Sequence, residues 1–557
     1  MRATGLGPFA SLAAHQALQT FYARSYSEFI KGAGNLRAHQ EAILAAQLER
    51  TQGLAASSRY GLCAGMTYEA FANRMPPTEY PDWSDAIEGQ RKTGNEIVCR
   101  DLKRFQPTSG STSRRKWIPY SGAMLTAFDH AIGPWLGDLY RSCPAVKWGR
   151  HYWSLSWPSD DLRAENASMD DLTYLPWWKR PLMRATMACP SDITLARTCR
   201  GAQLASACHL AACADLTMLF VWSPTFALEL LNTIWREREL ISTCLARGNW
   251  GALGDDLRRL APPPRAPRAA AILRAWDGKI DSNWARELWP RLAVISAWDS
   301  ASSEPWAKRL MEVFPNVVLQ GKGLFATEGV VTIPFQGRKV LAYRSHFYEF
   351  RDLANQRIVP SWELREGMHV APLISAGNGV FRYALNDRLE VREFYRGVPC
   401  LEFLGRLQGT DLVGEKMAPE TAQGLLSFLC EQKSDAAPVS LLAVQCGPSG
   451  RPYYQALVQG VPPNRPEADR LQQQGEAYLM EHYHYRVARE LGQLDILNIH
   501  VSPDALGRYQ SLAVNKGMAQ GDIKVEALTL VQRWHDLEAP EGLQDPENQD
   551  GRITARA

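Results

Sequence analysis

The chain contains no run of eighteen apolar residues, no CxxC pair and no large excess of one charge. Without the first, a membrane-spanning helix has nowhere to form. Without the second, the familiar zinc and dithiol spacings are missing. With 62 Lys and Arg against 59 Asp and Glu, the net charge of +3 is too small for a broad nucleic-acid or membrane footprint. The first thirty residues do not combine a basic start, an apolar core and a small-residue cleavage site, so a cytoplasmic protein is expected. No internal repeat is visible.

The 11 cysteines are odd in number and scattered, and Cys208, Cys213, Cys244 and Cys430 fall within apolar helical patterns. They read as buried, reduced thiols. His482 and His484 in EHYHYR invite a metal, but no ligand cluster of known spacing accompanies them. A structural or substrate-facing role is the better expectation.

What the chain does have is the stretch PTSGSTSRRKWIPYS, Pro107 to Ser121. Backbone N–H groups and the hydroxyls of Thr108, Ser109, Ser111 and Thr112, around Gly110, can turn toward one anion, and a phosphate chain is the natural guest. Arg114, Arg115 and Lys116 add cationic charge beside it. The same residues also read as a solvated surface loop with a basic edge. Leu125, Phe128, Ile132, Trp135 and Leu139 follow at helical spacing, which puts the loop just before a helix start, where the macrodipole favours an anion.

At 557 residues the chain exceeds one compact core, so a large domain and a smaller one are expected. Leu216–Trp222 reads as a buried strand, and SPT then starts a helix that runs to Gly248. Leu292–Trp298, a helix opened by Ser303 and Pro305, and Asn316–Gln320 make a βαβ unit, hence a parallel sheet flanked by helices. Just past its last strand lies GKGLFATEG, placing Thr327 and Glu328 where an open α/β sheet forms its ligand crevice. In GVFRYALND, Asp387 stands among apolar and aromatic residues; it suits a ribose diol, or is a surface turn carboxylate. The proline-rich run APPPRAPRAAA, 261–271, reads as an excursion within the large domain. After Phe403–Gly409, the expected hinge, the pattern changes to an α+β unit. The expected division is a large domain over 1–405, a small mobile domain over 406–545 and a disordered tail over 546–557.

In order and spacing, TSGSTSRRKWIP, the VWSP-plus-helix segment, ELWPRLAVISAWDS, LFATEG, FYEF, GVFRYALND, FLGRLQGTDLVGEK and YRVARELGQLD…QGDIK resemble the auxin-responsive Gretchen Hagen family of acyl-acid amido synthetases. The resemblance spans about residues 37 to 530 and implies the adenylate-forming architecture: a large α/β domain with mostly parallel sheets, and a small α+β domain that rotates between half-reactions. It implies ATP and Mg²⁺ as cofactors, a small carboxylic acid and an amine or amino acid as partners, and a monomer that binds neither nucleic acid nor membrane. Thr108, Ser109, Gly110, Ser111 and Thr112 would hold the phosphates, with Lys116 at their edge. Thr327 and Glu328 would lie near the α-phosphate, Glu328 as the metal ligand. Tyr383 would line the nucleotide pocket, Asp387 bind the ribose and Arg406 belong to the hinge. Lys524 resembles the small-domain lysine that approaches the nucleotide, with Lys416 a second candidate.

Three positions depart from the family pattern. Ser113 and Arg114 follow the hydroxyl run where a second glycine is usual. Leu324 replaces an aromatic residue, which would shift adenine stacking to another ring such as Phe325. Asn386 stands where glycine is common, at a position where a positive φ would be tolerated. The implied activity is adenylation of a carboxylic acid followed by acyl transfer to an amine, with an acyl-CoA ligase or a degenerate nucleotide-binding protein as alternatives. Trp153, Trp157, Trp177 and Trp178 would suit an apolar or aryl acid, or simply pack.

Overall fold

The computed structural model describes residues 8–107, 116–154, 179–407, 409–410, 412–413, 415, 417–433, 435–490, 494–515, 518 and 523–533. The chain divides into two compact units, Met1–Gln408 with Gly517–Lys524, and Gly409–Lys516 with Val525–Ala557. The boundary thus falls three residues beyond the sequence expectation, and Arg406 stays in the first unit. The tail expected over 546–557 lies outside the described residues.

The first unit opens with helices and a two-stranded antiparallel sheet, β1 (Leu102–Pro107) and β2 (Trp117–Ser121). Pro107 pairs with Trp117, so the expected phosphate segment connects two paired strands. Residues 108–115 themselves lie outside the described residues. The expectation that this segment runs directly into a helix is corrected: β2 intervenes, and Ser121 caps helix Gly122–Ser142 by accepting from the Met124 N–H at 3.1 Å. Such a cap is worth about 1 kcal/mol.

A parallel sheet follows, ordered β3 (Arg150–Trp153), β4 (Leu216–Phe220), β5 (Val294–Ala297) and β6 (Val318–Gly321). β4 and β5 are buried along their whole length, which is why they read as continuous apolar runs. Helices Pro224–Arg236 and Glu304–Val313 return the chain between these strands. The helix expected to run unbroken to Gly248 is interrupted at Glu237, and a second segment, Arg238–Arg247, ends at Gly248 in the left-handed region, φ 70°.

Beyond β6 a short hairpin, β7 (Phe325–Ala326) and β8 (Gly329–Val330), leads into an antiparallel sheet of eight strands. These are β9 (Thr332–Phe335), β10 (Arg338–Leu341), β11 (Phe347–Asp352), β12 (Ile358–Pro360), β13 (His369–Ser375), β14 (Tyr383–Ala384), β15 (Asp387–Tyr395) and β16 (Val398–Arg406). The architecture is α/β, and the larger of its two main sheets is this antiparallel one. Among the described residues the second unit has four strands, β17 (Ala437–Cys446), β18 (Tyr453–Gln459), β19 (Asn498–Ser502) and β20 (Leu528–Arg533), in the order β19-β18-β17-β20. Helices Pro419–Glu431, Arg465–Met480 and Ala505–Asn515 belong to it.

Three imidazoles are wholly buried in the first unit: His15, His151 and His346. His15 Nε2–H donates to the Gly149 carbonyl at 2.8 Å, which leaves Nδ1 to accept from the Tyr140 hydroxyl at 2.8 Å. His151 stacks on it, ring centroids 4.4 Å apart, and donates to the Val146 carbonyl at 2.9 Å. Burial lowers His15 to about 4, and His151 and His346 to about 3. The folded chain therefore refuses protons that the unfolded chain accepts near pH 6.5. Their contribution is complete above pH 6.5 and is lost as pH falls toward 4 and then 3, by about 1.4 kcal/mol per group per pH unit. In ¹⁵N spectra of the folded protein at pH 5, all three rings are expected to be neutral. Protonation of any of them near pH 6 would contradict this account.

Candidate active site

The turn between β7 and β8 is only Thr327–Glu328, because Ala326 pairs with Gly329 across it. It presents Glu328 beyond the carboxyl end of β6, where a parallel sheet opens its crevice. The Tyr120 hydroxyl, on β2, donates to the Thr327 carbonyl at 2.8 Å and fixes the turn from the side. Gly329 has no room for a side chain, since a Cβ there would meet His346 Nε2 at 2.8 Å.

Glu328 lines a narrow pocket, with Tyr80, Trp83 and Tyr383 among its walls. The Tyr383 hydroxyl donates to the Glu328 carboxylate. Burial pushes the Glu328 carboxyl up and Asp387 pushes it further, while Lys116 and Arg406 oppose the shift. Lys116, Glu328, Tyr383, Asp387 and Arg406 therefore share one neighbourhood, although they come from three parts of the sequence. Asp387 and Arg406 face each other across the β15–β16 ladder, with Arg406 Nε 4.0 Å from Asp387 Oδ1. Lys116 Nζ lies 5.9 Å from the centroid of the Tyr80 ring.

Arg382, one residue before Tyr383, is what the sequence undervalues. Its backbone sits at φ 48°, a left-handed conformation uncommon for a residue with a side chain. Nε and Nη2 each donate to Glu349 at 2.7 Å, and Nη1 donates to the carbonyls of Ala72 and Met75. The Tyr68 hydroxyl adds a bond of 3.1 Å to Glu349. The Thr78 N–H donates to the Arg382 carbonyl at 2.9 Å, and the Ala384 N–H returns one to Thr78 at 2.8 Å. Tyr383 is thus held from both sides. Asn386 is not among the described positive-φ residues, whereas Arg382, four positions earlier, is.

Phe325, expected as a replacement for the missing adenine ring, is not on the cavity wall. It packs at 6.3 Å from Trp135 and 5.8 Å from Trp222 in a separate aromatic cluster, leaving Tyr80, Trp83 and Tyr383 as the rings that line the pocket with Glu328. Trp153 joins that cluster, while Trp157, Trp177 and Trp178 lie outside the described residues. Thr108, Ser109, Gly110, Ser111, Thr112 and Lys416 also lie outside them. Lys524 belongs to the first unit, its Nζ 3.9 Å from the Phe403 ring centroid and 5.4 Å from that of Trp298. No group of three or more His, Cys, Asp or Glu side chains among the described residues could hold a metal unaided.

A two-sheet α/β unit with a carboxylate hairpin at the end of its parallel sheet defines the class. The model of the GH3 family N-terminal domain matches residues 25–319, more than half of the chain, and that of the GH3 family central domain matches 339–406. The chain belongs to the GH3 family. No curated protein matches it in sequence. Among solved structures it resembles "GH3.15 acyl acid amido synthetase" with a TM-score of 0.73 at 15% identity, over 90% of this chain and 93% of that one. "AtGH3.15 acyl acid amido synthetase in complex with 2,4-DB" gives a TM-score of 0.73 at 16% identity, over 96% of each chain. These likenesses establish the fold.

The Arg382–Glu349 pair yields a direct test. Arg382→Met or Glu349→Gln alone leaves one charge buried without its partner, and each is expected to cost about 3–5 kcal/mol in denaturant unfolding. The double variant should recover part of that loss. Single losses under about 1 kcal/mol would show that the pair does not hold the site.

Proposed function

We propose that the chain is an ATP-dependent acyl-acid amido synthetase, which adenylates a carboxylic acid and passes the acyl group to an amine, an amino acid being the expected acceptor. The observation that carries this reading is the convergence of Lys116, Tyr383, Asp387 and Arg406 on Glu328, in a chain of the GH3 family. A substrate carboxylate oxygen attacks the α-phosphorus of ATP, and the bond to pyrophosphate breaks. The nitrogen of the amine then attacks the acyl carbon, the bond to AMP breaks, and the amine loses a proton to solvent.

Asp387 binds the ribose hydroxyls in this reading, and Tyr80 and Tyr383 enclose the base. Lys116, with the hydroxyl segment 108–112, stabilises the negative charge that develops on the phosphoryl oxygens. Glu328 and Thr327 supply hard oxygen donors at the turn. One carboxylate together with substrate phosphates suffices for Mg²⁺, so the donor set fits that ion and Glu328 would hold it. When bound, Mg²⁺ supplies charge neutralisation at the phosphates. Lys524 serves adenylation, and the small domain rotates between the two steps, with Arg406 near the pivot. The working form is a monomer in the cytoplasm.

Acid-dependent exchange of labelled pyrophosphate into ATP tests the first step. Asp387→Ala should abolish it, and Glu328→Ala should lower it by about a hundredfold or more. Exchange that survives both changes would overturn the site assignment. Products identified with a panel of amino acids, and with CoA in parallel, test the second step, and a thioester as sole product would refute amide formation.

A further inference from the structure

Lys322 is the first residue after β6 and is 4% exposed. Its Nζ lies 2.9 Å from the ring centroid of Phe220, 4.7 Å from Trp222 and 5.8 Å from Trp135. Its hydrogen-bond partner among the described residues is Ser296 Oγ, at 3.3 Å. Among the described residues every other buried lysine or arginine has a carboxylate: Lys179 has Asp129 at 2.6 Å, and Arg382 has Glu349. A lysine amine with three hydrogens, one of them on a hydroxyl and one face on a ring, lacks among the described residues the carboxylate that would make its charge tolerable. Burial accordingly holds it well below the usual lysine range.

Through Phe220 and Trp222 this amine joins an aromatic cluster to which each strand of the parallel sheet contributes a residue at or beyond its carboxyl end. Trp153 closes β3, Trp222 follows β4, Trp298 follows β5 and Phe325 follows β6. All four are only partly buried, at the end of the sheet where such a fold takes a ligand. The Trp153 indole N–H has no partner among the described residues. Lys322 sits at the base of the segment whose tip is Glu328, six residues further on.

Resting on the proposed adenylation, we infer that Lys322 is the specificity-determining residue of the acyl-acid pocket. It selects an aromatic acid bearing a second oxygen group, a ring hydroxyl or a second carboxylate, distal to the carboxylate that is activated. The ring of the acid stacks within the tryptophan crevice, its reacting carboxylate points to the Glu328 turn, and the distal oxygen reaches the amine. The acid thereby supplies the missing acceptor. Binding an anionic oxygen there restores the ammonium, so the complex takes up a proton from solvent.

Three acids of one ring size separate the possibilities: a plain aryl acid, its hydroxy derivative and its dicarboxylate. Pyrophosphate exchange by the wild type should favour one of the oxygen-bearing acids by at least tenfold in kcat/KM. Lys322→Met should erase that preference mainly through KM for the acid, with KM for ATP as the internal control. Calorimetry of the wild type in buffers of different ionisation enthalpy should show proton uptake on binding the dicarboxylate and none with the plain acid, a readout that needs no variant. Equal use of all three acids by the wild type, or an unchanged preference in a folded Lys322→Met, would overturn the role of Lys322 and leave adenylation standing. Absence of exchange with every acid, together with absence of proton-linked binding, would overturn both.

Discussion

The buried pair of Arg382 and Glu349 is the constraint on which the candidate site depends. Arg382 is 5% exposed and Glu349 1%, so both charges have left water at a cost of several kcal/mol each. Fork geometry offsets this, since one guanidinium satisfies two carboxylate oxygens and two backbone carbonyls. The carbonyls belong to Ala72 and Met75, at the end of a surface helix, while Glu349 is on β11 of the antiparallel sheet. One side chain therefore clamps the helical layer onto the sheet. Thr78 completes the clamp: it bonds the backbone of Phe381 and Arg382 and accepts from the Trp83 indole. Tyr383 and Trp83, two walls of the cavity, are consequences of that arrangement.

The two large sheets divide the work. The antiparallel sheet brings Asp387 and Arg406 into register on adjacent strands, and β14 adds Tyr383. The parallel sheet ends in the aromatic crevice. Between them runs one short segment, 322–330, with Lys322 on the crevice side and Glu328 at the turn. A reaction that joins a nucleotide to an acid needs such a meeting point, because both substrates must present reacting atoms within about 3–3.5 Å.

Much of this was legible in the sequence, and the physics says which parts. β4 and β5 are buried on both faces, so they appear as apolar runs that nothing else mimics. Glu328 follows from its position after β6, and Asp387 from its isolation among apolar residues. Arg382 was visible only as a neighbour of Tyr383, because its partner Glu349 is 33 residues away and a long-range ion pair leaves no periodic trace. The motif offers Phe325 as one ring for adenine, and its contacts with Trp135 and Trp222, which come from distant segments, leave no local pattern in the sequence. Lys322 was passed over because a lysine between two glycines reads as exposed loop, and its burial is set by Phe220 and Trp222 a hundred residues earlier.

On the proposed reading, the electrostatics of Glu328 couple the nucleotide to its metal. Two cations, Lys116 and Arg406, act on the carboxylate, yet burial and Asp387 prevail and its proton is held above the ordinary range. Arg406 is nearly half exposed, with 47% of its side chain accessible, so solvent screens much of its charge. A polyphosphate alone would add negative charge at the turn, whereas a divalent cation arriving with it offsets that charge, and the carboxylate then gains by ionising. On the proposed reading, nucleotide and metal are accepted together because Glu328 is partly desolvated beside a second carboxylate, and a fully solvated glutamate would impose no such condition.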